Sequence, residues 1–259
     1  MAVLRNPPAR PRLPHRDRAV EYPESDGKPM AESDWHWHET VDIAQMLADR
    51  YRDAPDVYVA SDNFIYYVEG DPKRAVSPDV YVVFGVPKHV RPVYKLWQEG
   101  AAPSVVFEIT SRSTRREDLV KKRDLYAWLG VDEYFLDDPL REYLDPPLQG
   151  FRLDRAAGAY QPLRPDAAGR VVSERLGLRL WWEDGKVRLV DAATGKRLMS
   201  TAEVREAMRD TEARAAAERA ARQAAEARMA DERAARDAAE AELARLRAEV
   251  ERLRGAGGG

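Results

Sequence analysis

The chain of 259 residues contains no cysteine, which excludes a disulfide framework and a thiolate metal site. No stretch approaches the roughly 18 consecutive apolar residues that are needed to span a bilayer. The first residues also lack the apolar segment of a secretory signal. We therefore expect a soluble protein of the reducing cytoplasm, with no membrane partner.

A strong net charge is missing as well. The 42 basic and 45 acidic side chains leave a formal net charge of -3, which argues against a globally basic nucleic-acid binder. A nuclease is still allowed, because its metal site is acidic and its DNA-facing patches can be local. No glycine-rich phosphate loop and no nucleophile elbow occur in the sequence.

Proline and glycine are both absent from residues 201–254, which are mostly Ala, Arg and Glu. This composition predicts a long helix over residues 200–254, roughly 80 Å long if it is continuous, before a flexible glycine tail at 255–259. The last apolar residues have the 3-4-3 spacing of a coiled-coil seam: Leu243, Leu246, Val250 and Leu253. We predict a homodimer through this coiled coil, and a solitary helix with many charge pairs is the alternative.

Residues 1–18 are rich in proline and arginine. Proline removes backbone donors and like charges repel each other, so a packed element is not expected there. We interpret this segment as a solvated basic arm, and an arm that contacts phosphates is the functional alternative.

Residues 19–199 have the sequence pattern of one α/β domain, in which strand-like runs are separated by Pro, Gly or Asp. Helices are expected at 35–51 and at 115–129, the second with a capping box at Thr114 and Glu117 and a C-cap at Gly130. The core strands are predicted at 57–60, 64–69, 80–84, 105–110 and 133–136. A β-rich extension is predicted from weaker signals at 151–153, 160–163, 178–182 and 187–190.

Two carboxylates stand out by their apolar neighbours. Asp79 opens the apolar run 80–84, and Glu108 is the only charge within 105–110. A continuous apolar run indicates a strand buried on both faces, where an ionised glutamate is costly unless it is paired or bound to metal. Taken singly, Asp79 is equally explained by a turn before a strand, and Glu108 by an edge strand that faces the surface.

A lysine on the following helix strengthens this pattern. At 100° per residue, Lys122 lies in the centre of the apolar face and Lys121 at its margin. A central lysine should either reach out to solvent or meet an anion. Glu108 lies roughly 16 Å before Ser113 along the strand, and Lys122 roughly 13 Å after it along the helix. A helix that folds back beside its strand therefore brings Lys122 level with Glu108, although a purely structural ion pair would look the same.

Several segments, in this order and spacing, resemble the Uma-two family of restriction endonucleases. They are Ser77-Pro78-Asp79, the stretches 107–111, 118–126 and 130–134, Asp138-Pro139, and the upstream stretch 25–32. The resemblance covers roughly residues 20–199. It implies an α/β fold with a restriction-endonuclease-like PD-(D/E)XK core, in which helices flank a mixed central sheet.

The resemblance also implies which residues form the site. Asp79 and Glu108 would be metal ligands for Mg²⁺ or Mn²⁺. The third signature position holds Thr110 instead of lysine, and in this family the lysine is thought to move to the following helix, which points to Lys122. An acidic residue of the first helical region often joins such sites, and both Glu32 and Glu39 are candidates.

Two nearby histidines carry a weaker expectation. His36 and His38 are two positions apart, so their side chains point away from each other on a helix. A metal shared between them is therefore not expected, and a structural or surface role is favoured.

The leading hypothesis is a Mg²⁺-dependent endonuclease that hydrolyses phosphodiester bonds in DNA, with Asp79, Glu108 and Lys122 as catalytic residues. Fold alone does not grant activity. The alternatives are a degenerate nuclease fold that binds nucleic acid without cutting it, and an assembly protein whose coiled coil is the functional part.

Overall fold

The computed structural model describes residues 20–25, 33–110 and 121–256. The chain divides into two compact units, of which the first ends at Thr201 and the second begins at Ala202. The predicted basic arm at 1–18 lies outside the described residues, and so do the last three residues of the predicted glycine tail, 257–259.

The first unit combines helices with many short strands. Its helices are α1 (Asp34–Arg50), α2 (Leu96–Glu99) and α3 (Arg123–Leu129). Its strands are β1 (Val57–Ser61), β2 (Ile65–Tyr66), β3 (Ala75–Val76), β4 (Val80–Phe84), β5 (Tyr94–Lys95), β6 (Val105–Ile109), β7 (Glu133–Asp137), β8 (Leu148–Asp154), β9 (Ala159–Pro162), β10 (Val171–Ser173), β11 (Leu178–Glu183) and β12 (Lys186–Asp191).

The predicted α/β class is confirmed by a mixed central sheet. Its strand order is β1-β4-β6-β7-β8-β9. Strands β6 and β7 run parallel, and the other neighbours in this sheet are antiparallel. The parallel pair requires a crossover connection, and the segment between β6 and β7 that ends in α3 supplies it.

The β-rich extension is divided between two sheets. Strands β8 and β9 continue the central sheet, whereas β10, β11 and β12 form a separate antiparallel sheet. A third small sheet has the order β3-β2-β5. The predicted strand at 64–69 is shortened to two residues, and the sequence reading missed β3, β5, β10 and α2.

The two faces of the central sheet contribute to different hydrophobic cores, as the two-residue period of a strand requires. One face packs against α1, β11 and β12 with residues such as Val80, Val82 and Phe107. The opposite face packs against α3 with residues such as Tyr81 and Val106. Because Glu108 follows Phe107, its side chain points to the α3 face.

Helix α1 begins one residue earlier than predicted, because the side chain of Ser33 caps it by accepting a hydrogen bond from the N–H of His36, 3.3 Å away. The helix contacts β1, β4, β6 and β12. Its buried positions near the C-terminus are apolar, whereas those in the first half are polar: His36, Glu39 and Thr40. This half of the helix brings titratable groups to the sheet.

Helix α3 is described from Arg123, so the predicted capping box at Thr114 and Glu117 lies outside the described residues. Its C-cap agrees with the prediction. Gly130 has φ 81°, and its N–H bonds back to the last turn of the helix. Glycine adopts this left-handed conformation without the steric cost that other residues meet.

The second unit is the predicted long helix, α4 (Thr201–Ala256), which runs into the glycines of the expected tail. Its apolar seam is exposed, with Leu243 at 50%, Leu246 at 52% and Val250 at 47%. Charge pairs four residues apart also occur, for example Arg222 with Glu226 at 3.0 Å. The helix is confirmed, and its coiled-coil pairing stays a prediction. Within the part of the chain that the structure describes, no helix has both the length and the apolar character to cross a bilayer.

Candidate active site

Glu108 is a fully buried carboxylate in the interior of the central sheet. Strand β6 lies between β4 and β7, and the side chain of Glu108 has no solvent exposure. The alternative of an exposed edge strand is therefore wrong. Nζ of Lys122 donates to Oε2 of Glu108 at 2.7 Å, and the hydroxyl of Tyr126 donates to Oε1 at 2.5 Å.

Asp79 lies beside Glu108 because of the register between β4 and β6. Val80 pairs with Phe107 in this antiparallel ladder, so Asp79, directly before β4, lies opposite Glu108 in β6. Oδ2 of Asp79 accepts the main-chain N–H of Ile109 at 2.6 Å and lies 3.2 Å from Nε2 of His36. Among the described residues, Oδ1 of Asp79 has no hydrogen-bond partner. Asp79 thus precedes the strand and also connects it, through its carboxylate, to β6 and α1.

Lys122 occupies the position that the helical phase predicts. It lies in a wider helical turn directly before α3, and its side chain is only 18% exposed. Its Nζ is also 3.5 Å from the carbonyl oxygen of Ser77. Lys121, one residue earlier, is exposed. The structure therefore brings Lys122 together with Asp79 and Glu108.

Tyr126 is a member of this cluster that the sequence analysis did not assign. It follows Lys122 by one helical turn and is completely buried. Burial, and then the negative charge of Glu108, hold the pKa of the Tyr126 phenol well above its usual value. The hydroxyl therefore stays protonated and can only serve as a donor to the carboxylate. Its spacing of four residues from Lys122, on the same helical face, was the available signal.

His36 is the α1 residue that meets the candidate site. Its ring is 4% exposed and contacts Asp79, whereas His38 is exposed on the other side of the helix and packs against the ring of Trp37. The two histidines do point apart, as predicted. The favoured structural role of His36 has a specific partner that the sequence did not reveal.

The other acidic candidates are Glu32 and Glu39. Glu32 is outside the described residues. Glu39 accepts the N–H of Val187 in β12 at 2.6 Å, and burial raises the pKa of its carboxyl to about 7. Its neighbour is Asp137, whose pKa is raised by burial and then by the charge of Glu39. Since Asp137 alternates with Phe135, this carboxyl pair lies on the α1 face, opposite to Glu108.

Thr110 occupies the signature position where lysine is missing. It forms hydrogen bonds at the end of the β6–β7 pair. Its N–H and its hydroxyl both donate to the carbonyl oxygen of Asp137, at 2.7 and 3.1 Å. Residue 110 therefore links β6 to β7, and among the described residues Lys122 is the cation that contacts Glu108.

Asp79 and Glu108 can hold a divalent cation. In the described ranges, no group of three or more His, Asp or Glu side chains converges on one point. Mg²⁺ requires only one or two protein carboxylates, because water and phosphate oxygens complete its coordination. Oδ1 of Asp79 is available, and Glu108 supplies a second carboxylate beside it. The two residues therefore fit a magnesium site.

The sequence matches the Uma2 family model, described as "Putative restriction endonuclease", over residues 9–190. A crystal structure described as "a putative nuclease belonging to DUF820" from Anabaena variabilis is similar, with a TM-score of 0.42 and 16% sequence identity. The similarity covers 59% of this chain and 81% of that chain. No curated protein matches the sequence significantly. Because the family model spans well over half of the sequence, the resemblance is confirmed and this chain belongs to the Uma2 family.

Proposed function

We propose that the first unit is a Mg²⁺-dependent endonuclease that hydrolyses phosphodiester bonds in DNA. Family membership supports a nuclease, and the metal and the DNA substrate belong to this proposal. The observation that carries it is the environment of Glu108. The fully buried carboxylate of Glu108 accepts hydrogen bonds from Lys122 and Tyr126. A second carboxylate, that of Asp79, lies beside it. Such an arrangement is costly to bury and is common at functional sites.

Asp79 and Glu108 would hold the Mg²⁺ ion, for which Mn²⁺ would substitute. When bound, the ion would supply an activated water and would neutralise charge on the phosphate oxygens. The hydrogen bonds of Asp79 direct this arrangement. His36 and the N–H of Ile109 both engage Oδ2, which leaves Oδ1 as the ligand atom.

Lys122 would act on the phosphate and on the attacking water. Its ammonium is a compact charge on a flexible stem, and its partners include the Glu108 carboxylate and the Ser77 carbonyl. From this position it can orient water or stabilise the negative charge that develops on the phosphate. The Tyr126 hydroxyl keeps the Glu108 carboxylate oriented, because it remains a donor over the whole working pH range.

The exposed seam of α4 supports a proposal about assembly. Leu243, Leu246 and Val250 form a half-exposed apolar stripe, which a second copy of the helix would cover in a coiled coil. We propose a homodimer through this stripe, which could present two active sites to the two strands of DNA. The cytoplasmic location expected from the sequence stays a prediction.

A cleavage assay tests the nuclease. Supercoiled, linear duplex and single-stranded DNA would be incubated with the full chain in Mg²⁺, in Mn²⁺ or in EDTA. We expect cleavage only with metal, and a loss of about 100-fold for Asp79→Asn or Glu108→Gln, in the range for removing one electrostatic group. Glu142→Gln alters an exposed carboxylate outside the site and is the matched control.

Two outcomes would contradict the nuclease. Cleavage that survives in EDTA, or in both carboxylate variants, would place the activity elsewhere or in a contaminant. DNA binding by the parent protein without cleavage under any metal would favour the alternative of a nuclease fold that binds nucleic acid without cutting it.

A further inference from the structure

A cleft of about 600 Å³ opens beside the candidate active site. It lies next to the small β3-β2-β5 sheet and shares Lys122 and Ser77 with the site. Aromatic rings line one part of it and lysines another, namely Phe64, Tyr66, Tyr67, Lys73, Lys121 and Lys122. None of the described lining residues is acidic.

The aromatic part of the cleft has accessible ring surface on a fixed support. Phe64 and Tyr67 are half-buried, so each ring is anchored and still partly exposed. The buried Tyr66 contacts the ring of Phe64, 6.0 Å between centroids, and its hydroxyl donates to the carbonyl of Pro23 at 2.6 Å. Tyr67 also contacts the ring of Trp128, 6.0 Å between centroids, and Trp128 is 69% exposed. The aromatic surface therefore extends beyond the cleft.

The cationic part of the cleft leads to the site. Lys73 and Lys121 are exposed, and in the part of the chain that the structure describes neither forms an ion pair. Lys122 lines the cleft and also donates to Glu108 at the candidate site. A polyanion that follows these lysines would have its backbone guided from the cleft to the carboxylates.

We propose that this cleft binds an unpaired nucleotide of the nucleic-acid substrate, next to the phosphate to be cleaved. Aromatic rings with a neighbouring row of cations are the combination by which proteins hold single strands, since every base has a face to stack and every phosphate a charge. The volume lies within the range of roughly 300–1,000 Å³ for small-molecule sites, so it suits one nucleotide and excludes a stacked duplex. The preferred substrate is then DNA with a single-stranded stretch. This inference rests on the proposed function.

Binding without cleavage tests the cleft directly. The probe is a fluorescently labelled single-stranded 20-mer that carries 2-aminopurine, and the same sequence as a blunt duplex, each titrated with the full chain in EDTA. We expect the single strand to bind more tightly than the duplex and to show 2-aminopurine quenching on stacking. Tyr67→Leu keeps apolar bulk and removes the ring, so we expect about tenfold weaker binding of the single strand and loss of quenching. Trp37→Leu changes an exposed ring outside the cleft and should alter neither.

The lysines give a second readout that does not depend on packing. Lys73→Ala and Lys121→Ala should each weaken single-strand binding and reduce the slope of log affinity against log salt by about 0.7, the value for one phosphate contact on a single strand. Lys196→Ala, an exposed lysine beyond β12, should leave the slope unchanged. Equal melting temperatures of variants and parent would exclude unfolding as the cause.

Several results would refute nucleotide binding by the cleft and leave the nuclease proposal intact. Other results would do the reverse. Equal affinity for single strand and duplex, no single-strand binding at micromolar protein, or full quenching in Tyr67→Leu would each refute it, even if the protein cuts DNA. If the protein binds single strands through Tyr67 but never cleaves, the cleft stands and the nuclease proposal fails.

Discussion

Nζ of Lys122 lies 2.7 Å from Oε2 of Glu108, and the carboxylate of this pair is completely buried while the lysine is 18% exposed. Lys122 is therefore the more exposed member of this pair. A buried carboxylate that loses its counter-charge is strongly destabilised, by about 3–5 kcal/mol in comparable pairs. The contact should matter for folding as well as for catalysis, and the two effects must be separated.

Two adjacent lysines test the catalytic effect, with each variant assayed at a temperature where it remains folded. Lys122→Met removes the charge at Glu108, and we expect DNA cleavage to fall at least about tenfold, which corresponds to roughly 1.4 kcal/mol in the barrier. Lys121→Met alters an exposed lysine and should cost far less in a duplex-cleavage assay. A large loss for Lys121→Met with no loss for Lys122→Met would move the site to the other lysine.

The same pair makes a prediction about stability. Lys122→Met should lower the free energy of unfolding by a few kcal/mol, because Glu108 keeps its burial and loses its cation. Adding Glu108→Gln should recover most of this loss, since the buried charge is gone, and should not restore cleavage. Urea unfolding of the parent, both single variants and the double variant measures the cycle. A double variant that is no more stable than Lys122→Met alone would contradict this account.

Metal affinity provides a test that does not require catalysis. Replacing Asp79 or Glu108 by Ala should weaken Mg²⁺ or Mn²⁺ binding in isothermal calorimetry while the fold survives, because each removes one of the two proposed ligands. Thr110→Ala changes a buried residue that bonds only to the Asp137 carbonyl within the described chain, and its metal affinity should match the parent. Unchanged affinity in both carboxylate variants would remove these residues from the metal site.

The buried Glu39 predicts a pH dependence of stability. Burial raises the pKa of its carboxyl from 4.5 to about 7, so between these values the unfolded chain releases a proton that the folded chain keeps. Stability should fall as pH rises through this window and stay lower above it. Glu39→Gln keeps an acceptor for the Val187 N–H, and we expect it to exceed the parent by about 1–3 kcal/mol at pH 8. Equal stability of the two proteins in urea at pH 8 would refute this, and Glu142→Gln serves as the exposed control.

Helix α4 predicts the oligomeric state. Truncation after Ser200 should reduce a dimer to a monomer in light scattering at micromolar concentration. Leu246→Ser, in the half-exposed seam, should weaken the dimer, whereas Ala244→Ser, exposed but outside the seam, should not. A full-length protein that is already monomeric would leave α4 as a solitary helix supported by its charge pairs.

The local pattern of the sequence was enough to place most of the fold. Apolar runs with β-branched and aromatic residues marked β1, β4, β6 and β7, since most positions of these strands are buried. The two-residue strands β3 and β5 escaped notice, because two residues have no detectable period, and β2 was predicted too long for the same reason. Strand β8 was found only in part, because Gln149 and Gly150 interrupt its apolar pattern.

The sequence by itself determined the α/β class, the long helix α4, the two strand carboxylates and the central phase of Lys122, because each depends on spacing along one element. Only the tertiary structure decided that His36 meets Asp79, that Glu39 belongs with Asp137, and that Tyr126 donates to Glu108. These contacts join α1, α3 and strands far apart in the chain. Their geometry follows from strand register and from how each helix packs on its face of the sheet, which no local period encodes.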